Sequence, residues 1–216
     1  MSEVLNMGSD KTLPMLRDSE ATRRKLIRAL GGVMARKGFR AVGVNAVARA
    51  AGVDKVLIYR YFGGLPGLIT AFGQEGDFWP GPAELAGGDM SAFLALPLPD
   101  RLAQLARNYL EAILSRPVTQ EIMAWELVEQ NELTVMLEEI REQSFLTFFR
   151  QAVPESPPGV DTQALAAIVG ATVNYLVTRS RHTRWFSGID LASDAGWDRL
   201  MDTLDQVCRT LIAASQ

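Results

Sequence analysis

Residues 43–62 read GVNAVARAAGVDKVLIYRYF, and this stretch decides the fold. Its apolar side chains recur at helical spacing on both sides of Gly52. Gly52 therefore separates two short helices, and Asp54 can cap the second of them, which runs from Lys55 to about Tyr61. Two short helices joined by a tight turn that contains glycine form a helix-turn-helix unit.

The second helix of such a unit enters the major groove of DNA, where its outward side chains meet base edges. Lysine can donate to guanine, valine can pack on a thymine methyl group, and tyrosine can donate to phosphate. Because successive residues turn by about 100° around a helix, Tyr59 and Tyr61 cannot both point inward beside Ile58. The residues predicted to bind DNA are Asn45, Lys55, Val56, Tyr59, Arg60 and Tyr61.

A basic amphipathic helix precedes the unit. It is predicted to begin at Ser19 and to end at Gly38, with apolar residues at helical spacing between them. Residues 1–16 show no such spacing and contain Pro14, so we expect a flexible N-terminal tail.

The charge of the chain is divided unevenly along its length. The net charge is −3, yet residues 17–70 hold eleven Lys/Arg and three Asp/Glu, which gives +8. Residues 71–216 hold ten Lys/Arg and twenty Asp/Glu, which gives −10. A basic segment joined to an acidic one indicates that the first part meets a polyanion. A solvated basic surface without a partner is the alternative.

Residues 19–72 resemble the DNA-binding domain of the TetR family of transcriptional repressors. The resemblance lies in a first helix that ends in KGF, followed by AVARAAGVDKVLIYRYF. It implies a repressor that binds DNA as a dimer and that carries a ligand cavity in its C-terminal part. The chain departs from the family pattern at Val42, Gly43 and Val44, where threonine or serine usually opens the second helix. The threonine or serine residues that are missing here would contact phosphate. A helix-turn-helix used for protein contacts is therefore an alternative.

The rest of the chain is predicted to be helical, without strands or hairpins. The Gly- and Pro-rich stretch 73–99 is predicted to be a loop or a broken helix. Helices are predicted over residues 100–115, 117–130, 132–152, 161–183 and 192–214. The expected fold class is all-α, with an N-terminal three-helix helix-turn-helix DNA-binding domain at residues 17–70. A C-terminal helical ligand-binding and dimerisation domain is expected at residues 71–216.

The last two predicted helices carry apolar stripes at the spacing of packed helices. The family resemblance implies that they pair with their copies in a second subunit, and a two-fold protein suits a two-fold operator. The residues predicted at this dimer interface are Leu165, Ile168, Thr172, Leu176, Leu200, Leu204, Val207 and Leu211. Packing of both stripes within one subunit is the alternative.

The resemblance also implies that the helices over 100–152 surround a ligand cavity. Aromatic and sulfur side chains suit a flat or lipophilic ligand. The residues predicted to contact it are Tyr109, Met123, Trp125, Phe145, Phe149 and Tyr175. An ordinary core is the alternative for any one of them. Glu126 and Glu129 would attract a cationic ligand if they were buried beside Trp125.

The inventory of reactive residues does not indicate an enzyme. His182 and Cys208 are the single residues of their kinds and lie far apart in the sequence, so no metal cluster or Cys–His pair is expected. Residues 63–67 lack the ending of a phosphate-binding loop. We expect no catalytic site, metal or cofactor, with a helical-pocket enzyme as the alternative. The expected partners are operator DNA, a second copy of the chain and an unidentified small-molecule effector.

The expected location of the protein follows from the lack of targeting signals in the sequence. The sequence has no run of apolar residues long enough to cross a membrane and no signal-peptide pattern. We therefore expect a cytoplasmic protein without a membrane partner.

Overall fold

The computed structural model describes residues 12–214, with side chains from residue 18 onward. Apart from one short hairpin, all regular secondary structure in this range is helical, which confirms the all-α class. The helices are α1 (Thr12–Lys37), α2 (Val44–Ala51), α3 (Val56–Phe62), α4 (Leu65–Glu75), α5 (Pro82–Leu85), α6 (Met90–Ala95), α7 (Leu98–Leu114), α8 (Pro117–Glu126), α9 (Glu132–Ala152), α10 (Thr162–Ser180) and α11 (Asp194–Ala213). A 3-10 turn at Phe39–Ala41 joins α1 to α2.

The first helix is longer than its sequence pattern predicts. It begins at Thr12, so the predicted start at Ser19 is wrong, and residues 12–16 are helical instead of a tail. Pro14 is tolerated there because the N–H groups of the first helical turn have no partner within the helix. The rest of the predicted tail, residues 1–11, lies outside the described residues.

The N-terminal helices share one core with the C-terminal part. Fully buried side chains of α1, α3 and α4, such as Leu30, Ile58 and Leu68, belong to the same apolar cluster as Ile122 of α8 and Leu137 of α9. The boundary predicted between residues 70 and 71 falls inside α4. The helices of the predicted DNA-binding domain therefore rest directly on the helices that follow them.

The Gly- and Pro-rich stretch is a broken helix, as predicted. Gly87 and Gly88 take positive φ angles of 74° and 91° and separate α5 from α6. The Asp89 carboxylate then caps α6 by accepting a hydrogen bond from the backbone N–H of Ala92 at 3.0 Å. Arg101 of α7 fixes the end of α6 by donating to the carbonyl oxygen of Leu96 at 2.8 Å.

A two-stranded hairpin between α10 and α11 contradicts the prediction that the chain has none. β1 (Trp185–Phe186) pairs antiparallel with β2 (Ile189–Asp190). Ser187 and Gly188 form the turn with positive φ angles of 48° and 78°, which is the pattern of a type I′ turn. The Ser-Gly pair between Trp185-Phe186 and Ile189 was the signal for it in the sequence.

None of the helices in residues 12–214 combines the length and apolar character that a membrane span requires.

Candidate DNA interface and ligand cavity

The turn between α2 and α3 is closed by glycine and by backbone hydrogen bonds. Gly52 adopts the left-handed conformation (φ 66°), which costs a residue without a Cβ atom little. Its N–H donates to the carbonyl oxygen of Arg49 at 3.2 Å, and the N–H of Val53 donates to that of Ala48 at 3.1 Å. The end groups of α2 are thereby paired, and the chain reverses within a few residues.

Asp54 caps the start of α3, as predicted. Its carboxylate accepts a hydrogen bond from the backbone N–H of Val56 at 2.8 Å. The Asp54 carbonyl oxygen accepts from the N–H of Leu57 at 3.1 Å. A negative charge at the N-terminal end of a helix also interacts favourably with the helix dipole. The α2–α3 geometry is therefore fixed by local hydrogen bonds as well as by the core.

The α3 helix divides into a buried face and an exposed face. Ile58 is fully buried, while Val56 and Tyr59 expose 61% and 56% of their surface. Tyr61 is half-buried and packs edge-on against Phe62, with 6.4 Å between the ring centroids. The exposed tyrosine that the sequence requires is thus Tyr59. The predicted DNA-binding residues with exposed side chains are Asn45, Lys55, Val56, Tyr59 and Arg60.

A close backbone approach positions α4 against the end of α3, which sequence reasoning missed. A Cβ atom on Gly67 would lie 1.9 Å from the carbonyl oxygen of Phe62. Since such contacts are far inside van der Waals distance, only glycine fits here. The sequence GGLPG at residues 63–67 indicated a break between helices, but the contact itself depends on their packing.

The C-terminal helices enclose a cavity of about 420 Å³ between α7, α9 and α10. Two predicted ligand residues, Tyr109 and Phe145, lie in its wall. The Tyr109 hydroxyl donates to the side-chain oxygen of Asn174 at 2.5 Å, and burial raises the pKa of this hydroxyl. Trp79, which follows α4, also lines the cavity and was not predicted. The lining is mostly apolar, with a few polar groups that could orient a ligand.

The other four predicted ligand residues lie elsewhere. Met123 is buried in the core between α7, α8 and α10, and Phe149 stacks behind Phe145 with ring centroids 5.2 Å apart. The indole N–H of Trp125 donates to the carbonyl oxygen of Ala35 in α1 at 3.2 Å. Tyr175 is exposed and packs edge-on against a hairpin residue. Their helical faces point away from the cavity, which the spacing of aromatic residues could not reveal.

Neither glutamate beside Trp125 is free. Glu126 forms a bidentate contact with Nη1 of Arg141 at 2.7 and 2.6 Å. Burial raises the pKa of Glu126, and the Arg141 guanidinium opposes this shift. Glu129 accepts a hydrogen bond from the backbone N–H of Arg40 at 3.1 Å. Arg141 lines the cavity and escaped prediction because a lone arginine in a helix is usually solvated.

The residues predicted at the dimer interface differ in exposure. Ile168, Val207 and Leu211 expose 61%, 45% and 45% of their surface. The half-buried members are Thr172, Leu200 and Leu204. Leu165 and Leu176 are buried in the core of the chain itself. The exposed face of α10 is formed instead by Ala164, Ile168, Ala171 and Tyr175.

The reactive residues do not converge. His182 is exposed at the end of α10, and Cys208 is buried in α11. Burial raises the pKa of the Cys208 thiol, so the thiol is a poor nucleophile. Within residues 12–214, no group of three His, Cys, Asp or Glu side chains is arranged to hold a metal ion.

Comparisons with known proteins agree on one family. Residues 26–71 match the family model described as bacterial regulatory proteins, tetR family. The HTH-type transcriptional repressor SCO4008 of Streptomyces coelicolor is 23% identical over 202 residues, which are 91% of this chain and 97% of that protein.

Solved structures share the fold across nearly the whole chain. NalD, the secondary repressor of the MexAB-OprM multidrug efflux pump in Pseudomonas aeruginosa, superposes with a TM-score of 0.60 at 22% identity, covering 88% of this chain and 96% of NalD. The fatty acid degradation regulator FadR of Bacillus halodurans gives a TM-score of 0.61 at 18% identity, covering 87% of this chain and 94% of FadR. Residues 26–71 therefore form a domain of the tetR family of bacterial regulatory proteins, and the chain as a whole has the all-helical fold of solved TetR-family structures.

Proposed function

We propose that this regulator is a repressor that binds a palindromic operator as a homodimer and that a small, largely apolar ligand releases it from DNA. In this proposal residues 17–70 bind DNA, and residues 71–216 bind the ligand and the second subunit. The repressor acts in the cytoplasm, where its operator lies. The observation that carries the proposal is the exposed face of α3, formed by Lys55, Val56, Tyr59 and Arg60.

Two features of this face favour DNA over a protein partner. Val56 and Tyr59 are large apolar side chains held outward on a short helix, a position that suits contact with bases and sugars in the major groove. The exposed basic side chains of α1 add sequence-independent attraction to phosphates. These are Arg24, Lys25, Arg28 and Arg36.

The exposed apolar stripes of α10 and α11 support the homodimer. Ile168 and Tyr175 on α10, with Val207 and Leu211 on α11, lie on helices that also bury residues in the subunit core. Contiguous exposed apolar surface commonly marks an interface between proteins. A two-fold pairing of α10 and α11 would cover both stripes and would present two α3 helices to successive half-sites.

The cavity between α7, α9 and α10 supports a small-molecule effector. Its walls combine the rings of Trp79, Tyr109 and Phe145 with aliphatic residues of α7 and α10. A volume of about 420 Å³ is within the usual range for small-molecule sites. A ligand can weaken DNA binding only if it binds better to the conformation that fits DNA poorly. The proposal therefore requires that ligand binding in the cavity lower the affinity of the protein for its operator, and that operator binding lower its affinity for the ligand.

Selection from random duplex DNA tests the proposal. The purified wild-type protein should enrich a palindrome, Tyr59→Ala should not, and the control Trp185→Ala should behave as wild type because Trp185 is an equally exposed aromatic residue on the hairpin. Failure of the wild type to enrich any sequence at low salt would overturn the proposal and favour a helix-turn-helix used for protein contacts.

A further inference from the structure

The charged groups of the cavity between α7, α9 and α10 all come from one helix, α9. Glu138, Arg141 and Glu142 of α9 are the charged side chains in its wall, which is otherwise apolar or uncharged. Both glutamates are exposed at the rim, and the side chain of Arg141 is 17% exposed. The cavity therefore has an aromatic interior and an acidic rim, with one cation built into its wall.

Arg141 also lines a second cavity. The second cavity measures about 270 Å³ and lies beside the loop between α8 and α9, with Glu126 in its wall. Arg141 and Glu138 line both cavities. Movement of the Arg141 side chain away from Glu126 would leave the Glu126 carboxylate without the partner that both of its oxygens contact.

The surroundings of the Arg141 guanidinium are those of a bound organic cation. Its central carbon lies 5.3 Å from the ring centroid of Trp79 and 5.8 Å from that of Phe78, within the range of cation–π contacts. Its Nη1 contacts both oxygens of the buried Glu126 carboxylate. Two aromatic rings and a carboxylate thus hold a cation of the chain itself, and this cation lines both cavities.

The charge balance decides which ligands this arrangement favours. Glu126 neutralises Arg141, so Glu138 and Glu142 leave the cavity with a net negative charge. Two carboxylates at the mouth of a space with apolar walls attract cations and repel anions, because the walls screen the field poorly. A ligand carboxylate would have to compete with Glu126 for Arg141, whereas a ligand cation meets unpaired carboxylates.

We propose that the effector of this cavity is a lipophilic organic cation, which takes the place of the Arg141 guanidinium over Trp79 and beside Glu126. The inference rests on the proposed function, since it assumes that the cavity binds an effector. Arg141 then acts as a built-in competitor that the ligand must displace.

Displacement of Arg141 would reach the DNA-binding helices through α8. Glu126 lies between Trp125 and Glu129, and both of these contact the chain at the end of α1. Arg141 thus anchors the segment of α8 that supports the DNA-binding helices. Loss of this anchor is the step that we expect to couple ligand binding to release of DNA.

Two probes of the same shape and opposite charge test the inference. Tetraphenylphosphonium and tetraphenylborate carry the same four phenyl groups, so a difference in affinity reports the charge preference of the site. In calorimetric titration, the wild-type protein should bind tetraphenylphosphonium with an affinity at least about tenfold higher than its affinity for tetraphenylborate. The same titration with operator DNA present should show that the phosphonium lowers DNA affinity.

Variants of the buried pair show where the cation binds. Arg141→Met removes the competitor and should raise phosphonium affinity by about tenfold. Glu126→Gln together with Arg141→Met should abolish this gain, and this double variant also guards against misfolding because it leaves no buried charge unpaired. Arg150→Met, an exposed arginine at the end of the same helix, is the control and should change neither affinity.

The outcomes separate this inference from the proposed function. Equal affinities, or tighter binding of tetraphenylborate, would overturn the cation while leaving a ligand cavity in place. Binding of neither probe to the wild type or to Arg141→Met would overturn the inference and would also count against the cavity as an effector site. Phosphonium binding that Arg141→Met does not alter would overturn the displacement of Arg141.

Discussion

The indole N–H of Trp125 donates a hydrogen bond to the backbone carbonyl oxygen of Ala35 at 3.2 Å. Ala35 lies in the last turn of α1, where carbonyl groups have no partner within the helix. Glu129 provides a second link, because it accepts from the backbone N–H of Arg40 at 3.1 Å. Trp125 at the end of α8 and Glu129 just after it therefore satisfy backbone groups at the end of α1 and in the turn that follows it, and they join the two parts of the chain.

Removal of the first of these links should destabilise the protein measurably. Trp125→Phe keeps an aromatic ring but loses the donor, which leaves the Ala35 carbonyl without this partner. We expect the free energy of unfolding to fall by about 1 kcal/mol. Chemical denaturation followed by circular dichroism measures this change.

The control for this experiment is Trp185→Phe, at an indole that is 57% exposed on the hairpin. This variant should unfold like the wild type. A loss in Trp125→Phe no larger than that in the control would contradict a structural role of the Trp125–Ala35 hydrogen bond.

The close approach of α4 to α3 makes Gly67 irreplaceable. In Gly67→Ala the added Cβ would meet the carbonyl oxygen of Phe62 at 1.9 Å, and both atoms belong to or adjoin the backbone. The helices must move apart, so we expect a loss of at least about 2 kcal/mol in the free energy of unfolding. Thermal and chemical denaturation measure this loss.

Gly43→Ala is the matched control, because a Cβ atom on Gly43 meets nothing within 4 Å and its φ of −169° suits any residue. Stability of Gly67→Ala equal to that of this control would mean that α3 and α4 do not pack as closely as the structure shows.

The turn at Gly52 and the helix contact at Gly67 show what the sequence could and could not predict. The periodicity of residues 43–62, with Gly52 and Asp54, predicted the turn and its cap because those features depend on local hydrogen bonds. The close contact at Gly67 depends on how two helices pack, and no local pattern encodes it. The hairpin at 185–190 was missed although its Ser-Gly turn is local.

The ligand residues were harder to predict for a related reason. Helical spacing identifies an apolar face but does not say whether that face meets a cavity, the core or solvent. Tyr109 and Phe145 face the cavity, whereas Trp125 faces α1 and Tyr175 faces outward. Arg141 was overlooked because its burial depends on Glu126, which lies in another helix.

The exposed stripe of α10 makes the oligomeric state testable with one substitution. Ile168 exposes 61% of its surface at the centre of that stripe. Ile168→Arg would place a charge in the proposed interface, where an unpaired buried charge costs several kcal/mol. We expect the wild type to be a dimer and the variant to be a monomer at micromolar concentration, as measured by analytical ultracentrifugation.

Val135→Arg controls for the effect of a new surface charge, because Val135 exposes 39% of its surface on α9. This variant should stay dimeric. A dimer that survives Ile168→Arg unchanged would place the subunit contact elsewhere, and a monomeric wild type would refute the homodimer.

Two lysines should separate sequence readout from general attraction to DNA. Lys55 lies at the N-terminal end of α3, where side chains of a recognition helix meet base edges, and Lys25 lies on the exposed face of α1. On the operator recovered by selection, Lys55→Met should weaken binding by about 1–3 kcal/mol and weaken binding to random duplex much less.

Lys25→Met should weaken binding to both DNAs alike and lower the slope of log affinity against log salt by about 0.9. Fluorescence anisotropy at several salt concentrations measures both effects. If Lys55→Met also weakened both DNAs equally, Lys55 would bind phosphate, and the readout of sequence would fall to Val56 and Tyr59.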